Sequence, residues 1–153
     1  MGVAPRFDQT TDVRLAAAAL AIVLLVAACG GNGARARFER HLKADALLVA
    51  QCCSTLATTA QLRAAHRKVH AATLDLESVP APADAEEDRR TILTGFRFAD
   101  TILGKLVRDI AQGDRTAFRR DGAVFRKGAG FRGFDAAVAD LKRKGYDVGV
   151  LGR

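Results

Sequence analysis

The sequence has no Trp, one Tyr, one Met and three Pro in 153 residues, and only 6% of it is aromatic. Ala, Leu and Val carry most of the 49% hydrophobic content, a balance that favours helix over sheet. With 27% charged residues and so little Pro the composition is neither disordered nor collagen-like, and the length suits one domain. Three Cys are too few for a disulfide framework, and no CxxC pair or CxxCH is present, so redox and c-type haem chemistry have no support. Ser54 and Ser78 are the only serines and neither lies in a nucleophile elbow. Gly128-Ala129-Gly130 lacks the spacing and flanking strand of a phosphate loop. The expectation is a protein that is not an enzyme and carries no cofactor.

A membrane-spanning run is also missing. The longest apolar stretch is Leu15 to Ala28, fourteen residues. As a helix it would reach about 21 Å, short of the ~30 Å hydrocarbon core. Arg14 precedes it and Cys29-Gly30-Gly31 follows, so it reads as the h-region of a secretory signal peptide. The n-region has no twin-Arg pair, which points to general export of the unfolded chain.

Val26-Ala27-Ala28-Cys29 resembles the lipobox of bacterial lipoproteins, with an aliphatic residue, two small residues and then Cys. The resemblance implies that residues 1–28 are a cleaved lipoprotein signal peptide. It also implies that Cys29 receives a diacylglyceryl group, palmitate being a typical chain, and becomes the mature N-terminus. The protein would then be anchored on the extracytoplasmic face of the cell membrane, with 29–33 as lipidated Cys and flexible tether.

From Ala34 onward helical periodicity dominates. Phe38, Leu42, Ala46, Val49, Cys53, Leu56 and Ala60 form one apolar stripe, and Leu62, Ala65, Val69, Ala72 and Leu76 continue it after a phase slip near Ser54 to Thr59. Residues 34–79 are therefore one bent helix or two helices. Val79-Pro80-Ala81-Pro82 ends the segment. Asp84, with Glu87 three residues on, has the spacing of a capping box for the next helix. Ile92, Phe96, Ala99, Leu103, Leu106 and Ile110 give that helix its stripe, Gly113 closes it and Asp114 caps the following one. A last helix from Asp114 is interrupted near Gly128 to Gly133, resumes to Lys144 and ends at Gly145, leaving 146–153 as a C-terminal tail. No strand alternation is visible. The expected fold is all-α, a small up-down bundle of three or four helices over 34–145.

The lipobox, the Val-Pro-x-Pro turn, the acidic start of the helix ending Gly113-Asp114 and the final helix ending near Gly145 together resemble uncharacterised small helical lipoproteins of high-GC Gram-positive bacteria. Many members of that group carry a Cys just after the final glycine. Tyr146-Asp147-Val148-Gly149 holds none here, which counts against an intrachain disulfide.

The candidate chemistry is sparse. His66 and His70 stand one helical turn apart, a spacing that can hold a metal, but they need a third ligand such as Cys52 or Asp75. Arg67 and Lys68 between them favour a plain solvated basic face. His41 would lie about 37 Å away along a continuous helix. Cys52 and Cys53 point about 100° apart on a helix and cannot bridge each other. Cys53 is on the apolar stripe, and Cys52 is the thiol available for an intermolecular disulfide. The formal charge is +7, and residues 114–153 carry a net +5. There Arg119, Arg120, Arg126, Lys127 and Arg132 alternate with Phe118, Phe125, Phe131 and Phe134. Nucleic acid is not an expected partner for an exported chain; anionic lipid or wall polymer is the alternative to a solvated face. The composite reading is a non-enzymatic binding or structural module of the cell envelope. Its alternatives are a metal-binding bundle using His66 and His70, or adhesion through the basic C-terminal segment.

Overall fold

The computed structural model describes residues 33–50 and 58–152. Cys29, Cys52, Cys53 and the whole signal-peptide segment lie outside the described residues. Among the described residues the fold is all-α, with no strand. The helices are α1 (33–50), α2 (Thr59–Ser78), α3 (Glu86–Gln112), α4 (Arg115–Lys127) and α5 (Phe134–Arg143). Short 3₁₀ turns follow at Ala129–Phe131 and Gly149–Gly152.

Residues 34–79 form two helices. Thr58 is extended (φ −127°, ψ 156°) and caps α2: its hydroxyl accepts from the Gln61 amide while the Gln61 side chain accepts from the Thr58 amide. The weak helix formers near the phase slip thus mark a true start. Gly33, expected in the tether, is already helical.

At the start of α3 the structure departs from the capping-box expectation. The cap is Ala85, which has no side chain to offer, and α3 begins at Glu86. The Asp84 carboxylate is engaged elsewhere, accepting from the Tyr146 hydroxyl at 2.8 Å. Glu86 serves the first turn instead. Hydrogen bonds from Arg89, then Arg90, hold its carboxyl down at about 2. Arg89 also donates to the Leu76 carbonyl at 3.0 Å, tying the end of α2 to the start of α3. At the other end Gly113 takes φ +70°, and Asp114 caps α4 by accepting from the Ala117 amide at 2.8 Å.

The central helix is α3, which packs on α2, α4 and α5. Glu77 meets Arg97, His70 meets Asp100 and Gly104 lies against His66, so α2 and α3 run antiparallel. Phe98 stacks on Phe125 and Phe96 on Phe134. Hence α4 covers the C-terminal half of α3 and α5 the N-terminal half, together forming one return helix broken in the middle. Gly128 (φ +63°) and Gly133 (φ +79°) make the break, because both sit in the left-handed region. With α1 the result is an up-down helical bundle. Phe131 and Phe134, rings that a flexible break would free to face a membrane, instead pack inward against Phe98, Phe125 and Phe96.

Two apolar clusters fill the interior. One holds Phe38, Leu42, Leu76, Ile92, Leu141, Tyr146 and Val148, and the other Leu62, Val69, Ala99, Ile102, Leu103 and Leu106. The first shows that residues 146–151, in the segment expected as a tail, pack into the bundle. Tyr146 and Val148 are 5% and 2% exposed. The segment returns along α1: Phe38 meets Tyr146 edge-on at 6.0 Å, Arg35 lies 4.1 Å over the Tyr146 ring, and Lys43 pairs with Asp147 at 2.7 Å. Lys144 anchors the turn before it, donating to the Asp84 carbonyl, Asp88 and Asp140. The tail becomes a core element by packing against distant segments, α1 among them, and periodicity within the tail does not reveal that.

The break between α4 and α5 gives one testable steric point. A Cβ on Gly130 would overlap the Phe98 ring. Gly130→Ala should therefore destabilise the protein by about 1–3 kcal/mol, the usual cost of overpacking. Equilibrium urea unfolding followed by circular dichroism measures it. An unchanged midpoint would mean that Phe98 does not pack on this turn.

Candidate functional site

The two histidines singled out by spacing do share a face, and α3 supplies what lies opposite. Asp100 points at both: its Oδ2 is 3.0 Å from His70 Nδ1 and its Oδ1 is 3.3 Å from His66 Nε2. The imidazoles are 6.1 Å apart, centroid to centroid. Gly104 is what admits His66 so close to α3, since a Cβ there would stand 3.0 Å from Nε2. The pair thus converges on one carboxylate. Cys52, one possible third ligand, lies outside the described residues, and Asp75 is engaged by His41. Among the described residues no group of three or more His, Cys, Asp or Glu is placed to hold a metal ion. The open cleft here, about 370 Å³, is flanked by Thr101, Lys105 and Arg108.

A second polar cluster escapes a reading by spacing alone. His41 on α1 pairs with Asp75 on α2 at 2.6 Å. The 37 Å separation expected for a continuous helix does not arise, because α1 folds back on α2. Beside this pair lies Asp45, 4% exposed, with Oδ2 buried and no hydrogen-bond partner. Burial, followed by the repulsion of the Asp75 carboxylate, pushes the Asp45 carboxyl up to about 7 against the opposing pull of His41. The sequence held one signal for this. Positions 38, 42, 45 and 49 fit helical spacing as well as 38, 42, 46 and 49 do, and the first set places an aspartate on the buried stripe. Of the two serines, the Ser78 hydroxyl donates to the Asp75 carbonyl, and Ser54 lies outside the described residues.

The basic C-terminal half presents its charge outward. Arg119, Arg120, Arg126, Lys127 and Arg132 are all exposed. Arg120 pairs with Asp121 at 2.8 Å, which holds the Asp121 carboxyl below its usual range. The others have no carboxylate partner among the described residues. The aromatic residues interleaved with them point the other way, except Phe118, which is 37% exposed.

No protein family, curated protein or solved structure matches this chain.

Proposed function

We propose that the chain is a lipid-anchored, extracytoplasmic helical protein that works as a non-enzymatic binding or structural module of the cell envelope. The observation that carries this reading is Val26-Ala27-Ala28-Cys29, directly after a fourteen-residue apolar run. The described helical bundle begins at residue 33, so a lipid on Cys29 would hold the folded domain against the membrane surface. Among the described residues no helix is long and apolar enough to cross a membrane. The exposed cations of α4 favour a second element in the same reading. Each Lys or Arg near an anionic leaflet contributes about 1 kcal/mol, enough to orient an anchored domain but not to hold a free one.

Mass spectrometry of the membrane fraction tests the anchor. The expected N-terminal peptide begins at Cys29 and carries added acyl mass, and Cys29→Ser blocks processing or releases the protein. A mature N-terminus elsewhere overturns the reading. For the basic segment, Arg126→Glu with Lys127→Glu should weaken binding to anionic vesicles at low salt. Binding left unchanged would make those residues an ordinary solvated face.

A further inference from the structure

The face of α4 toward the bundle is unusual for a core helix. Its fully buried residues are only Ala117 and Asp121, and the half-buried Phe125 supplies its apolar bulk against Phe98 and Phe131. Its larger rings, Phe118 and Phe125, stand two turns apart with Gly122 between them, on one stripe. They wall an apolar cleft of about 380 Å³ whose other side is Leu62 of α2 and Leu106 and Ile110 of α3. That volume is above the ~300 Å³ at which small-ligand pockets begin. Phe125 also lines a second cleft of about 260 Å³, almost wholly apolar, with Val69, Ala99 and Phe131. Phe125 therefore lines both apolar spaces.

The mouth of the first cleft is charged in one sense only. Arg119 and Arg126 line it, both are exposed, and neither has a carboxylate partner among the described residues. Gly122 matters again here. A Cβ built on it would lie 3.6 Å from Arg126 Nη1, so the Arg126 guanidinium reaches back a turn toward Arg119. Two guanidinium groups over an apolar slot complement a compact anion attached to a hydrocarbon tail. Thr58 and Thr59 at the N-terminus of α2 add neutral hydroxyls to the same rim and no negative charge.

We propose that this cleft binds a long-chain fatty acid, its carboxylate held by Arg119 and Arg126 and its chain laid past Gly122 toward Phe125. The cleft is built by α2, α3 and α4 and does not rest on the anchor at Cys29, so failure of acylation there leaves this proposal standing.

The test uses the full chain reconstituted in neutral phosphatidylcholine vesicles and palmitic acid bearing a diazirine near its chain end. After irradiation, labelling within residues 58–152 is mapped by mass spectrometry. The expected labels fall on α4 between Phe118 and Arg126 and on the facing residues of α2 and α3. Arg119→Gln with Arg126→Gln should lower that labelling at least tenfold and remove the preference for the acid over the matching diazirine alcohol. Gly122→Leu meets only ordinary contacts at its Cβ and should fold with unchanged helix content while blocking the slot to both probes. Labels scattered over the domain, or equal labelling of the double variant by the acid, would overturn the proposal. So would a long-chain monoalkyl phosphate that displaces the probe at lower concentration than palmitate itself, since the assignment is to a carboxylate.

Discussion

Asp45→Asn should leave the protein's stability at pH 4 nearly unchanged and raise it at pH 8 by about 2–4 kcal/mol. The sign follows from linkage. Burial and the neighbouring Asp75 push the folded-state carboxyl of Asp45 up to about 7, from 3.8 as an ordinary aspartate. Between those two values the folded protein binds a proton that the unfolded chain has released, so stability falls as pH rises through this window and is flat above it. At about 1.4 kcal/mol for each unit of difference, the full loss approaches about 4 kcal/mol. The groups with depressed folded-state values, among them Glu86, Asp121, Asp140 and Asp147, act in the opposite sense and lose their contribution at more acid pH. Those contributions therefore change at the acid end of the range, below the window in which Asp45 loses its proton. Asn matches the shape of the protonated carboxyl and cannot ionise. Urea unfolding of wild type and variant from pH 4 to pH 8 gives the difference profile. Two parallel profiles would show that Asp45 titrates as an ordinary surface carboxylate.

Asp45 also shows where sequence reasoning stops. The stripes of α2 and α3 are legible because each is long and regular: Leu62, Val69 and Leu76, then Ile92 and Leu103, are all buried as their spacing requires. The all-α class, the αL glycine at Gly113, the Asp114 cap and the break at Gly128 to Gly133 follow from equally local rules. Whatever depends on two distant segments meeting does not. The spacing of His66 and His70 shows that they share a face, but only the α2–α3 register brings Asp100 to that face. The Asp84-x-x-Glu87 pattern satisfies a local capping rule, and a distant hydroxyl, that of Tyr146, takes the carboxylate instead. The cleft under α4 is of the same kind. Phe118, Gly122 and Phe125 are visible as a stripe, yet an apolar stripe normally means burial, and here Phe118 stays exposed while Gly122 and Phe125 are half-buried along the wall of the cleft.

Phe38→Ala should cost about 3–5 kcal/mol, the range for removing a fully buried aromatic side chain. Phe38 is 0% exposed, and its ring meets Tyr146 edge-on at 6.0 Å. An edge-to-face pair adds about 0.5–1.5 kcal/mol to the area it buries. The loss should exceed that of a typical core residue in its consequences, because Phe38 joins the first described helix to the last described segment. Arg35 over the Tyr146 ring, Lys43 on Asp147 and Tyr146 on Asp84 are polar contacts that hold only while the segment stays docked. Tyr146→Phe removes just the hydroxyl bond to a carboxylate on an exposed residue and should cost about 1 kcal/mol. The two losses should not add, since undocking in Phe38→Ala already breaks the hydroxyl contact. Proteolysis in native buffer gives a second readout: in Phe38→Ala, cleavage after Lys144 or Tyr146 should become faster than cleavage within α3. If Phe38→Ala costs less than about 1 kcal/mol and the C-terminal segment stays protected, that segment is held by its ion pairs and not by the core it shares with α1.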